Sequence, residues 1–89
     1  MDARIKKVDD YDGFDIRFYI NHQHYQFLVG NTKNPFPLNV KHIFKEKGTC
    51  KLCGKVIYPL PYGHQVCIAF QKNLQQLLLY FQKYYKDCL

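Results

Sequence analysis

The residues of this 89-residue chain that could do chemistry are Cys50, Cys53, His64 and Cys67. Their pattern is C-x2-C, ten residues, then H-x2-C. Two thiolates three positions apart in a tight turn point at one ion. Gly54, just after the second, lets backbone N–H groups approach sulfur. The ten-residue gap suits a short hairpin, out along Lys55–Tyr58 and back through Pro59, Pro61 and Gly63. His64 and Cys67, three apart at a helix start, share one face of the first turn. Three thiolates and an imidazole form a tetrahedral Cys3His set, which suits one structural zinc ion. The positive end of a helix dipole favours thiolates at that position. His42 is the alternative to His64 as the nitrogen ligand.

The order of a cysteine knuckle, a short hairpin and a ligand pair heading a helix resembles the treble-clef type of zinc finger over residues 49–80. That resemblance implies Cys50 and Cys53 as knuckle ligands, and His64 and Cys67 as helix-start ligands. It also implies a structural metal and a function carried by the attached elements, in treble clefs often nucleic-acid or protein binding.

Other readings of these residues are weaker. A redox C-x-x-C would want a helix after Cys53, and Pro59 and Pro61 break one. Cys88 lies 21 residues beyond Cys67, about 31 Å along a continuous helix, too far to share an ion. His22 and His24 read as a solvated turn. No catalytic set is evident. The chain has no serine, its five glycines are scattered, and a nuclease built from Asp9, Asp10, Asp12 and His22 would have to be forced. The sequence therefore points away from an enzyme.

Length and composition bound what can position the cluster. Eighty-nine residues make one small domain. Chains this short bury only about 60% of their unfolded surface, so a staple such as a metal is expected. A 47% hydrophobic and 17% aromatic content excludes a disordered tail. No apolar run approaches the ~18 residues of a membrane span, and no apolar segment near Met1 suggests a signal peptide. A reducing cytoplasm is the expected compartment, where four cysteines read as ligands or thiols rather than disulfides.

The net charge is +6, and eleven of the thirteen basic residues are lysines. An AT-rich genome would also enrich lysine, and the composition would suit a small bacterial or phage-encoded regulator. Lys41, Lys45, Lys47, Lys51 and Lys55 face a single acid, Glu46. Such a patch attracts DNA or RNA phosphates, or an acidic protein surface. Tyr58 and Tyr62, near the knuckle, could stack on bases.

The remaining elements follow from periodicity. Ile5–Val8 is β-compatible, and Asp12 with Gly13 signals a turn. Residues 14–20 alternate, with Phe14, Ile16, Phe18 and Ile20 on one face and Asp15, Arg17 and Tyr19 on the other. Tyr25–Val29 predicts another strand. Residues 30–38, with Pro35 and Pro37, predict a loop. Asn39 is the expected N-cap of a short helix over Val40–Lys47. From Val66 to Cys88 neither glycine nor proline occurs, and apolar residues recur at helical spacing, predicting one helix of about 33 Å. Its stripe suits packing on the sheet, and its C-terminal half is the expected exposed patch, with Leu77, Phe81, Tyr84 and Tyr85 as partner contacts or a homodimer seam. The expected architecture is α+β: a three-stranded antiparallel meander and loop (1–38), then a short helix, a zinc-knuckle hairpin and a long helix (39–89). The two expected functions are nucleic-acid binding through the lysine patch, and protein interaction through the C-terminal helix.

Overall fold

The computed structural model describes residues 3–59 and 65–86. The fold is α+β. Strands β1 (Ala3–Lys7), β2 (Gly13–Ile20), β3 (Gln23–Gly30) and β4 (Phe36–His42) form an antiparallel sheet in the order β1-β2-β3-β4. A small hairpin pairs β5 (Gly48–Thr49) with β6 (Val56–Ile57), and α1 (Ile68–Gln71) and α2 (Leu74–Tyr84) follow.

The alternation in residues 14–20 sets the sheet's two faces. Ile5, Ile16, Phe27 and Val40 align across the four strands, and Ala3, Phe18, Tyr25 and His42 form the next row. Seven of these eight point into one apolar cluster, closed on the other side by Phe70, Leu78 and Phe81; His42 is buried beside it. The β2–β3 connection is a two-residue turn at Asn21 and His22, both at positive φ (52° and 66°). Such primed turns match strand twist, and asparagine tolerates the left-handed region better than most residues.

Several expectations need correction. The sheet has four strands, not three. The segment read as loop and short helix supplies β4, so no helix forms over Val40–Lys47. Val40, Ile43 and Phe44 fit a helical pattern only over a few residues, whereas β4 offers Val40 and His42 to the core and completes the free edge of β3. Pro37 lies beside the register shift between Leu28 and Val29, where an irregular ladder tolerates a missing N–H.

The C-terminal helix is also broken, at Lys72 and Asn73. The Asn73 N–H turns back to the Phe70 carbonyl at 2.8 Å, and its backbone leaves helical values (φ −134°, ψ 30°). Asparagine competes with its own helical backbone for hydrogen bonds, so it is a weak point there. A straight helix would set Phe70 and Phe81 about 16 Å apart along its axis. With the break, both rings reach Phe18, at 5.7 and 5.5 Å between centroids.

The faces of α2 differ from the expected partner surface. Phe81 is fully buried against Phe18 and Phe27, so it is a core residue and not a partner contact. Leu77 and Tyr85 are half-buried against the core, and Tyr84 is exposed. Asp15 also departs from its solvent-facing reading. It lies on the outer face but is only 7% exposed, accepting a hydrogen bond from Gln26 Nε2 at 2.9 Å, with Arg17 Nε 3.6 Å away. Among the described residues no helix is long and apolar enough to cross a membrane.

Candidate metal centre

Four side chains from three parts of the fold meet at the end of the sheet. His42 ends β4, Cys50 and Cys53 belong to the turn of the small hairpin, and Cys67 precedes α1. Their candidate donor atoms all lie within 4.8 Å of one another. His42, Cys50 and Cys67 are fully buried, and Cys53 is half-buried.

Local hydrogen bonds shape each ligand. In the knuckle, the Cys50 N–H donates to the Lys55 carbonyl and the Gly54 N–H to the Cys50 carbonyl, both at 2.9 Å. Gly54 adopts φ +76°, a conformation that disfavours any residue with a Cβ. The Cys53 N–H points at Cys50 Sγ (3.5 Å). Gln23, at the start of β3, fastens the knuckle to the sheet. It donates to the Thr49 carbonyl (2.8 Å) and accepts from the Lys51 N–H (2.9 Å).

Cys67 is held by the other edge of the sheet. Its N–H donates to the Val40 carbonyl at 2.8 Å, the His42 N–H donates to the Gln65 carbonyl at 2.9 Å, and Lys41 bridges to Val66. The segment before α1 is thereby zipped onto β4, which brings Cys67 and His42 together.

Two of the donor separations match those of a tetrahedral ion. Zinc bonds of about 2.3 Å to sulfur and 2.0–2.1 Å to nitrogen imply separations of about 3.8 Å between two sulfurs and about 3.6 Å between sulfur and nitrogen. Cys50 Sγ and Cys67 Sγ are 3.9 Å apart, and Cys53 Sγ and His42 Nε2 are 3.5 Å apart. His42 Nδ1 lies 2.6 Å from the Gln65 carbonyl oxygen. That oxygen can only accept, so Nδ1 carries the proton and donates it, leaving Nε2 with its lone pair toward the sulfurs. This is the outer-shell arrangement typical of a metal-bound histidine.

The thiols differ in their electrostatics. Burial pushes the Cys50 thiol up, but the Tyr25 hydroxyl at 3.2 Å and the N–H groups of Cys53 and Leu52 outweigh it and bring its pKa down to about 6. Burial pushes Cys67 up to about 12, against the N–H groups of Ala69 and Phe70, with Cys50 and Cys53 adding repulsion. Burial and the nearby Cys50 also raise the Tyr25 pKa, so its hydroxyl stays protonated and donates. A dication at this buried site would supply the counter-charge that several thiolates lack.

The cluster unites Cys50, Cys53 and Cys67, and these three are free thiols. The histidine in the described cluster is His42, the alternative in the sequence reading; His64 lies outside the described residues, as do Tyr62 and Cys88. This histidine comes from the sheet, the cysteines from the knuckle and the residue before α1. Sequence reasoning missed the fastening roles of Gln23 and Gln65, since an isolated glutamine carries no local signal.

The lysines lie around this centre. Lys45, Lys47, Lys51 and Lys55 are exposed and Lys41 is half-buried. The Lys47 ammonium sits over the exposed Tyr58 ring, 5.3 Å from its centroid, and Lys51 Nζ donates to the Asn21 carbonyl at 3.4 Å. Comparison with known proteins finds no matching family model, no matching curated protein and no matching solved structure.

Proposed function

We propose that this protein is a small zinc-binding regulator in which one structural zinc ion, held by His42, Cys50, Cys53 and Cys67, braces a surface that binds nucleic-acid phosphates. The observation that carries the metal assignment is the four-donor cluster, its donors within 4.8 Å of one another and two of its donor pairs at tetrahedral separations. Four protein donors fill a tetrahedron and leave no position for substrate, which supports a structural ion and a binding protein rather than an enzyme. Three free thiols fit a compartment that keeps cysteines reduced. The net charge of +6 and the exposed lysines around the knuckle support a polyanionic partner.

The test is titration of labelled DNA and RNA into the zinc-loaded protein at several salt concentrations. Phosphate binding predicts a log–log salt slope of about −0.7 to −0.9 per contact, and replacing Lys45, Lys47, Lys51 and Lys55 together by glutamine flattens it. Absence of binding at low salt would end this reading.

A second reading, a protein-interaction module, draws on the groove lined by Ile20, Leu52, Phe70, Leu77 and Tyr80 beside the knuckle. Its apolar lining suits an apolar segment of a partner protein, and such docking would hardly respond to salt.

A further inference from the structure

The outer face of the sheet carries a second arrangement, away from the metal. The chain contains only two arginines, Arg4 and Arg17. They stand directly opposite each other on β1 and β2, and the same row continues through Gln26 to Lys41. Like charges directly opposite on neighbouring strands repel. The only acid within the four strands is Asp15. It is 7% exposed, accepts a hydrogen bond from Gln26 and pairs with Arg17 Nε at 3.6 Å, and the strands offer no second acid for Arg4 or Lys41. An anion laid across the row would relieve the repulsion.

The neighbouring row is aromatic. Tyr19 and His24 are cross-strand partners whose rings lie parallel, 4.3 Å between centroids and 8° between planes. Tyr19 is 48% exposed. Burial first, then Arg17 and Lys45, push the His24 pKa below its usual value against Asp15, so near neutral pH the ring is uncharged within a basic field. Two hollows meet at this ring pair. One is lined by Arg4 and Arg17, and the other reaches Lys45, the start of the exposed lysine run.

We propose that this face binds single-stranded nucleic acid, with an unpaired base stacked on the Tyr19–His24 pair and the flanking phosphates on Arg4, Arg17 and Lys41. The proposal rests on the nucleic-acid-binding function above and adds the site and the strandedness. The outer face of the exposed Tyr19 ring, backed by His24, can stack on a base only if the base is not already stacked inside a duplex. Arginine's planar fork suits bidentate phosphate contact better than the lysine ammonium.

The test uses the zinc-loaded protein and a fluorescein-labelled oligothymidylate of about 16 nucleotides, alone and annealed to its complement. Fluorescence anisotropy compares the wild type with Tyr19→Ala, Tyr19→Phe and Arg17→Gln, each first checked for unchanged circular dichroism and zinc content. Tighter binding of the single strand is expected. Tyr19→Ala should weaken it about tenfold or more, Tyr19→Phe should retain it, and duplex binding should not change. Arg17→Gln should reduce the salt slope by about one. Single-strand binding by Tyr19→Ala equal to the wild type would overturn this site and leave the lysine-patch reading standing. No binding of either nucleic acid by the wild type would overturn both. Polyglutamate binding that equals oligonucleotide binding, with the same loss in Tyr19→Ala, would assign the face to an acidic protein and overturn the proposal.

Discussion

His42 Nε2 lies 3.5 Å from Cys53 Sγ, joining the last residue of β4 to the knuckle. The small hairpin has only two residues per strand. A hairpin of that size is not stable alone. A metal at this junction would tie β4, the knuckle and the start of α1 into one unit.

Metal removal should therefore loosen the C-terminal half first. Structural zinc contributes on the order of 10 kcal/mol of apparent free energy in small domains, comparable to the whole net stability of a chain this size. Cys50→Ser or a chelator is expected to abolish slow amide exchange at Cys50, Gly54 and Cys67, whose N–H groups are hydrogen-bonded here. Protection factors unchanged by chelation would contradict the bracing role.

Metal binding should strengthen with pH. Cys67, pushed up to about 12, is a thiol at neutral pH in the metal-free protein, so loading must release its proton. Each proton released makes affinity rise about tenfold per pH unit. Cys50, with its pKa near 6, releases a further proton only below that pH, so the dependence should steepen in acid. Competition titrations with a zinc indicator across neutral pH would show a slope of at least one; a flat profile would exclude ligation by Cys67.

Neighbouring residues on α2 should behave in opposite ways. Phe81→Ala should cost about 3–5 kcal/mol, because it empties a fully buried site beside Phe18 and Phe27. Tyr84→Ala, at 61% exposure, should stay within about 0.5 kcal/mol. Denaturant unfolding of the zinc-loaded proteins measures both, and equal costs would contradict the assignment of faces.

Gly54→Ala should cost about 1–2 kcal/mol through its backbone alone. The residue sits at φ +76° with nothing within 4 Å of an added Cβ, so no clash contributes. Thermal melts should show this loss with zinc stoichiometry retained. A stabilising effect would mean that the knuckle does not require the left-handed conformation.

The legible parts of the sequence were those with strong local signals. Phe14, Ile16, Phe18 and Ile20 alternate over a full strand, and β2 follows them. The spacing of Cys50, Cys53 and Cys67 brought all three to one cluster. β4 was hidden because Val40, Ile43 and Phe44 carry too short a pattern to separate strand from helix, and its formation depends on the distant edge of β3. The break at Asn73 was hidden because the apolar spacing runs through it unchanged. His42 as ligand depends on the same long-range pairing that makes β4, so only the fold brings it beside Cys53. The facing of Arg4 and Arg17 likewise depends on register, to which the five-residue loop after β1 gives no local clue.

The most direct test of the central claim is native mass spectrometry of the wild type, His42→Gln and His64→Gln, each with and without a chelator. The account predicts one zinc per chain in the wild type and in His64→Gln, and zinc lost or greatly weakened in His42→Gln. A wild type without metal, or zinc retained in His42→Gln and lost in His64→Gln, would contradict it.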